Sequence, residues 1–385
     1  MRRTVYTEDH ESFRSAVRTF VDREVSPHFE QWEQEGLPDK EVYRKAAEVG
    51  FIGQQIPEEY GGQGEGSYKY NAVFIEETIA ADVNLGSMRV HSEVCLPYLL
   101  HLTNDEQKAR WLPEVAAGRM VLAIAMTEPG TGSDLAGIAT TAVRDGDSYV
   151  LNGGKTFITG GRNADRVLVV CRTSAAGESD RRGGLSILVV DTSTEGFAVG
   201  RTLDKLGLHA QDTVELSFSD VRVPAEDLLG EEGRAFEYLS HNLPQERLTI
   251  AVGATAAATR AIQLATAYAN ERTIFGKALA TFQNTKFVLA ECAADVAAAQ
   301  AMVDQALEAH DRGELDAVDA AKLKLFTTEV QARVVDKCLQ IHGGYGYITE
   351  YPIARLYADA RISRIYGGTS EVMKTIIAKS LDLVR

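Results

Sequence analysis

The spacing of apolar residues switches twice along the chain, from a helical period to that of strands and back, and this double switch restricts the fold more than any single motif does. In the last zone Leu289, Cys292, Val296, Ala299, Val303 and Ala306 step by three and four, which draws one continuous apolar stripe along a helix. A second long helix is expected from Asp316 to Ile341, with Asp319 one turn in to favour the helix dipole and Gly343 and Gly344 to stop it. Alanine is frequent enough there for close helix packing, against the same chain or a neighbouring subunit. The first zone is helical too. HESFRSAVRTFVDREV sets Phe13, Val17 and Phe20 on one face, with Pro27 expected to end the helix. Further helices are expected at DKEVYRKAAEVG, with Asp39 as cap, at YKYNAVFIEETIAADV and at NDEQKARWLPEVAAG, while IPEEYGGQGEGS is glycine-rich connection.

Between the helical zones, RVLVVCRT, LSILVVD and TVELSFSDVRV are rich in branched residues, and YVLNGGKTFITG reads as two β arms around a turn at Asn152, Gly153 and Gly154. Short strands separated by polar turns suggest a barrel or sandwich inserted between helical parts. The fold class is therefore α+β, with an α domain expected over 1–120, a β domain over 121–231 and an α domain over 232–385.

Composition narrows function by exclusion. At 385 residues, 45% hydrophobic and 25% charged, the chain can build two or three domains with their own cores. A formal charge of −15 and a pI near 5.1 repel nucleic acid phosphates and anionic lipid, and Arg181–Arg182 is only a short basic pair in a solvated loop. Cys95, Cys171, Cys292 and Cys338 are far apart with no C-x-x-C pair, which suggests reduced thiols rather than disulfides or structural zinc. MRRTVYTEDHESF has no apolar core of a signal peptide, and no run approaches the roughly 18 uninterrupted apolar residues of a membrane span. A soluble, cytoplasmic protein without membrane or nucleic acid partners is expected.

The common nucleotide motifs are missing. GGQGEGS and GGYGYIT miss the G-x-G-x-x-G spacing, no P-loop or H-E-x-x-H occurs, and the eight histidines are scattered, so no metal is expected; His342 reads as a packing histidine. AMTEPGTGSDLAG is more distinctive. Thr127, Gly130, Thr131, Gly132 and Ser133 offer backbone N–H groups and hydroxyls on a loop that can approach a ligand, although for the segment taken alone a plain glycine turn is the simpler account. In IYGGTSEV, Gly367 and Gly368 suit positive φ, and Thr369 or Ser370 can cap the helix that follows.

PEEYGGQG, MTEPGTGSD, NGGKTFITG, ERTIFGKALATFQ, QIHGGYGYITEYP and YGGTSEV occur in this order over nearly the whole chain, and together they resemble the acyl-CoA dehydrogenase family. The resemblance implies an N-terminal α domain, a middle β-barrel domain, a C-terminal four-helix bundle, and a homotetramer built as a pair of dimers. It also implies FAD held without covalent attachment. Met126, Thr127, Gly132 and Ser133 would lie along the flavin and ribityl chain, with Ser133 also near the pantetheine of the substrate. Phe157 and Thr159 would flank the isoalloxazine, Phe157 standing where many relatives have Trp and so keeping an aromatic face without the indole N–H. Arg272, Phe275 and Gln283 would form the pyrophosphate and adenine side of a site shared across the dimer, joined by Gln340, Gly343, Gly344, Thr369 and Glu371. Taken singly, Arg272 reads as the partner of Glu271 or another acid, Phe275 as core and Gln283 as a helix cap.

The family's reaction is α,β-dehydrogenation of an acyl-CoA thioester: a carboxylate removes the α-proton and the β-hydrogen leaves as hydride to flavin N5. Many members carry that carboxylate just after the tyrosine of the final loop, where this chain has Gly367. The loop then keeps backbone N–H groups, at Gly367 and Gly368, to meet the thioester oxygen, and Gly367 is expected to leave volume beside the flavin. In the long-chain and isovaleryl branches the base lies in a segment resembling LPQERLTIA, which makes Glu246 the expected base. Pro244 suits a first helical turn and Asn242 a cap, so Glu246 is expected near the positive end of a helix, a position that also stabilises acids with no further role. Arg247 would anchor substrate or the CoA pyrophosphate, or else be an exposed helix charge. The expectation is an acyl-CoA dehydrogenase near the long-chain branch, passing electrons to an electron-transfer flavoprotein. The alternatives are an oxygen-using flavoenzyme on the same fold and a silent acyl-CoA binding subunit.

Overall fold

The computed structural model describes residues 3–175 and 181–381. Helix α1 (Glu8–Phe20), a π-helical segment at Val21–Val25 and α2 (Ser26–Glu35) form one run, so Pro27 does not end the helix. The wide π turn before the proline relieves the clash of its ring with the carbonyl four residues back. Helices α3 (Glu41–Glu48), whose Glu41 N–H donates to the Asp39 carboxylate, and α4 (Lys69–Ala80) follow. The proline device then recurs: α5 (Gly86–Arg89), a π segment at Val90–Cys95 and α6 (Leu96–Leu102) run together through Pro97. Helix α7 (Asp105–Ala116), capped by Asn104, leads into the sheet.

Strands β1 (Leu122–Ala125), β2 (Thr141–Asp145), β3 (Ser148–Thr159), β4 (Arg166–Arg172), β5 (Leu185–Asp191), β6 (Phe197–Thr202), β7 (Thr213–Pro224) and β8 (Leu228–Leu229) form one sheet in the order β6-β7-β3-β2-β4-β5-β8, with β1 beside β4. The sheet folds over so that Leu151, Leu216 and Phe218 meet Val167, Val169 and Val190 in one core. The outer face of β4 and β5 packs on Leu99 and Leu112 of α6 and α7, which explains why those two strands read as unbroken apolar runs. No turn forms at Asn152–Gly154. Strand β3 pairs with β7 on both sides of that point, and the glycines instead absorb a register shift, Gly153 at φ +147° lying against Thr140.

Helices α8 (Ala235–Glu271), α9 (Gln283–Asp311) and α10 (Ala317–His342, capped by Asp316) make the core of the third domain, with the hairpin β9 (Thr273–Ile274) and β10 (Lys277–Ala278) between the first two. Helices α11 (Pro352–Ala360) and α12 (Ser370–Lys379) close the chain. The stripe from Cys292 to Ala306 buries against Ala258, Ala261 and Ala265 of α8 and Val330 and Val334 of α10, so it faces this chain's own bundle. Helix α8 begins at Ala235, and the expected helix start at Asn242 and Pro244 is incorrect. Its first turns are held by Ala235 and Leu239, packed with the sheet and α6, and that burial outweighs the cost of an interior proline. By length and composition α8 could cross a membrane, yet 67% of its most apolar stretch is buried inside the protein.

Candidate active site

Two side chains of α8 fix it against the second proline run. Asn242 Nδ2 donates to the Val94 carbonyl (3.3 Å), and Gln245 Nε2 to that of Glu93 (2.9 Å), the carbonyl four residues before Pro97. Asn242 thus satisfies backbone in a neighbouring element instead of capping its own helix. The arrangement sets Glu246 opposite Tyr98 of α6, whose O–H donates to Oε1 at 3.2 Å. Glu246 is 7% exposed, and burial pushes its carboxyl up to about 7 against the opposing pull of the Tyr98 hydrogen bond and the Arg247 charge. Lying in the fourth turn of α8, it receives none of the dipole stabilisation expected of a helix start. Arg247 is buried, which rules out an exposed helix charge; its Nη1 reaches the Ala317 carbonyl at 3.5 Å and its Nε has no partner.

One turn beyond Glu246 stands Ile250. A Cβ added to Gly367, at φ +61°, would lie 2.5 Å from Ile250 Cδ1, so the free volume expected at that glycine is already filled from α8. This contact brings Gly367 to the helix face that carries the acid. Gly368, at φ +93°, presents its carbonyl to Lys324 Nζ of α10 at 2.6 Å. Lys324 is buried, and burial together with the Arg247 charge pulls its ammonium down to about 8. Thr369 caps α12 through Val372 N–H, and the backbone N–H of Glu371 with the Thr369 hydroxyl holds the exposed Glu371 carboxyl below its usual range. Neither Tyr98 nor Lys324 stands out in the sequence.

The glycine-rich loop after β1 is clamped to β3. Lys155 Nζ donates to the Met126 carbonyl (2.9 Å) and pairs with Glu128 (2.8 Å), Thr156 N–H donates to the Thr127 carbonyl (2.9 Å), and the Glu128 carboxylate also accepts from Ala139 and Thr140 N–H. Lys155 and Glu128, both buried, therefore join two of the motifs, a link invisible in either one alone. Gly132 and Ser133 are exposed on that loop, and a Cβ at Gly132 would meet nothing within 4 Å. Thr159 pairs with Thr213 of β7. A second bulge of β3, between Lys155 and Ile158, leaves Phe157 at φ +61° and 66% exposed.

Arg272, Gly343 and Gly344 line one cavity with Tyr345 and Tyr268. The Arg272 guanidinium lies 5.6 Å from the centre of the Tyr345 ring and has no carboxylate partner among the described residues, so the expected pairing with Glu271 is absent. Gly343 N–H donates to the Gln340 carbonyl, and His342 is a packing histidine stacked on Tyr268. Phe275 is 92% exposed and not core; Gln283 is exposed in the first turn of α9 and its side chain caps nothing. Among the described residues no hydrogen bond, ion pair or ring contact joins Arg272 or Phe275 to Met126 or Phe157. A lone guanidinium, two uncovered aromatic rings and open glycines fit a group with a flat ring system and a pyrophosphate.

The family patterns described as acyl-CoA dehydrogenase N-terminal, middle and C-terminal domains match residues 7–119, 123–221 and 233–381. The chain belongs to the acyl-CoA dehydrogenase family. It is 41% identical over 379 residues to the mitochondrial long-chain specific acyl-CoA dehydrogenase of Sus scrofa, covering 98% of this chain and 88% of the relative. The crystal structure of an acyl-CoA dehydrogenase from Geobacillus kaustophilus matches with a TM-score of 0.97 at 44% identity, over 99% of this chain and 100% of that one. A glutaryl-CoA dehydrogenase from Mycobacterium smegmatis, in complex with FADH2, matches with a TM-score of 0.88 at 28% identity, over 98% and 95%. This acyl-CoA dehydrogenase is accordingly an oxidoreductase of acyl-CoA thioesters in an FAD-dependent family.

Proposed function

We propose that this acyl-CoA dehydrogenase converts an acyl-CoA thioester to the trans-2-enoyl thioester, with Glu246 taking the α-proton and an electron-transfer flavoprotein accepting the electrons. The observation that carries the reading is a buried carboxyl, raised to about 7, beside the glycine loop. A carboxylate with that affinity is a far better proton acceptor than one in water, yet half of it is ionised near neutrality. Tyr98 orients Oε1, while Oε2 accepts no hydrogen bond among the described residues and is left for the proton. FAD, when bound, supplies the hydride acceptor. Lys324 holds the Gly367–Gly368 loop by the Gly368 carbonyl, and the loop N–H groups would then meet the thioester oxygen. Met126, Thr127, Gly132, Ser133, Phe157 and Thr159 would hold the flavin end. Arg272, Phe275, Gln283, Gln340, Gly343, Gly344, Thr369 and Glu371 would hold the pyrophosphate and adenine side of FAD bound mainly by a second subunit, in a homotetramer of paired dimers working in the cytoplasm.

The deciding experiment is anaerobic titration of Glu246→Gln with a panel of acyl-CoAs. The variant should keep FAD and lose flavin reduction by about 10²- to 10⁴-fold, the usual contribution of a general base. Reduction at near the wild-type rate would put the base elsewhere.

A further inference from the structure

Glu246, Ile250, Gly253 and Ala257 fall on one face of α8, spaced by four, three and four. The last three line a narrow cavity that also reaches Tyr366, next to the glycine loop. Arg89 crosses this face at Gly253: a Cβ there would lie 3.1 Å from Nη2 and 3.2 Å from Nη1, so glycine makes room for the guanidinium. Arg89 Nη2 donates to the Thr249 carbonyl at 3.0 Å, while Nε is buried without a hydrogen-bond partner. The other acids flanking this cavity are already engaged, Asp82 by Arg260, Glu33 by Arg355 and Asp359 by Leu208 N–H.

Arg89 is also a wall of a second, smaller cavity, shared with Asn71, Ser92 and Glu93. Asn71 Oδ1 and Ser92 Oγ are buried there, and among the described residues they, like Arg89 Nε, have no hydrogen-bond partner. Three polar atoms without a hydrogen bond around one space are uncommon, because each has given up its water with no bond to replace it. The donors and acceptors are mixed. Arg89 can only donate, Asn71 Oδ1 can only accept, and Ser92 can do either. A carboxylate would meet Glu93, whose Oε2 is 3.7 Å from Arg89 Nε, and would be repelled by it. A hydroxyl supplies one donor and an acceptor, which is what the three atoms lack.

Building on the dehydrogenase reading, we propose that the acyl group of the substrate carries a hydroxyl on its distal carbons, received by Arg89, Ser92 and Asn71. Gly253 lies seven residues past Glu246, about 10 Å along the helix by its rise per residue, which sets the separation between the α-carbon and the hydroxyl. Arg89 is then a specificity residue, acting on the far end of the chain from the acid.

The test uses FAD-loaded enzyme and terminal-hydroxy, unsubstituted and terminal-carboxy acyl-CoAs in a chain-length series. Dissociation constants are measured on Glu246→Gln, where turnover is blocked, and flavin reduction on the wild type. The hydroxyacyl thioester of matching length should bind at least tenfold more tightly than its unsubstituted counterpart. Arg89→Met and, separately, Ser92→Ala should bring that ratio close to one. Equal affinity for hydroxy and unsubstituted chains at every length, as when the small cavity merely holds water, would overturn the proposal, and so would a preference for the carboxylate. The ratio measured on Glu246→Gln with Arg89 intact decides even where Arg89→Met fails to fold. Tight hydroxyacyl binding without flavin reduction would overturn the dehydrogenase reading and leave the hydroxyl site standing; reduction without any hydroxyl preference would do the reverse.

Discussion

Glu246 and Phe275 stand at opposite ends of the burial scale, 7% against 92% exposed, and each is placed where its residue type is ordinarily unstable. Around Glu246 every surrounding group comes from this chain: Tyr98 from α6, Ile250 from the next turn of α8 and the glycine loop pinned by Lys324. Around Phe275, which meets only the edge of Phe282, and around Phe157 on β3, the described residues offer little cover. Both phenylalanines also sit at positive φ, a conformation that costs on the order of 1–3 kcal/mol for a bulky side chain. The contrast separates two kinds of preorganisation. The acid is tuned by desolvation, which a single folded chain can supply; the aromatic surface is held ready for something that arrives later, either a ligand or a second chain.

The largest effect that can break this contrast comes from moving the acid. Glu246→Gly combined with Gly367→Glu puts the carboxylate where many relatives carry it, but against Ile250 Cδ1 and at φ +61°. Flavin reduction by acyl-CoA should fall by about 10²- to 10⁴-fold, as for loss of the base outright. Adding Ile250→Ala should recover part of it by opening the space beside position 367. Wild-type rates in the swap alone would mean that Ile250 does not close the loop side of the site.

A smaller effect sharpens the acid half through pH. The base must be ionised to act, so kcat/KM should rise about tenfold per pH unit up to about 7 and then level off. Stability should run the other way. A carboxyl raised from 4.5 to about 7 in the folded state stabilises the fold below its unfolded value and loses that contribution as pH climbs through about 7. Glu246→Gln should therefore gain stability relative to wild type between about pH 5 and pH 8, by at most about 3 kcal/mol, in urea titrations of the apoprotein. Glu93, also raised to about 7 by burial, keeps its share of the pH dependence in both proteins. Parallel curves for the two proteins would show that Glu246 is solvated.

What the sequence disclosed follows the range of the interaction involved. The stripe from Cys292 to Ala306 could be read because helical spacing is local, and the three-zone order because each zone keeps one period. Pro27, Pro244 and the Asn152–Gly154 turn were misread because each is a local breaker overruled by something distant: a π segment, the packing of Ala235 and Leu239, and the pairing of β3 with β7 on both sides. Tyr98, Lys155 and Lys324 carry no spacing signal at all. Their partners lie 148, 27 and 44 residues away, so only the folded chain reveals that a polar atom in an apolar stretch has one. Arg272 and Phe275 belong to the cofactor by resemblance alone; in the folded chain they are set apart from an ordinary surface pair by a guanidinium that meets a ring and no carboxylate among the described residues, and by a phenylalanine left 92% exposed.

Phe275 gives the gentlest test of the comparison and the cleanest, because its turn can be kept while its ring is removed. Phe275 and Gly276 are the two central residues of the β9–β10 hairpin, both at positive φ, the geometry of a type I′ turn. Asn-Gly is the preferred sequence for that turn, so Phe275→Asn should leave the isolated chain as stable as before, or slightly more so. If the ring is waiting for a ligand or a second subunit, its loss should instead weaken FAD retention about tenfold or more, since burying a phenylalanine contributes about 1.5–3 kcal/mol. Equilibrium dialysis of FAD and sedimentation velocity, read together, separate the two occupants: a fall in FAD affinity alone points to the ligand, a fall in both to the subunit interface. Unchanged FAD affinity with unchanged assembly would leave the exposed ring without a role, and would remove the contrast between a closed acid and an open cofactor surface.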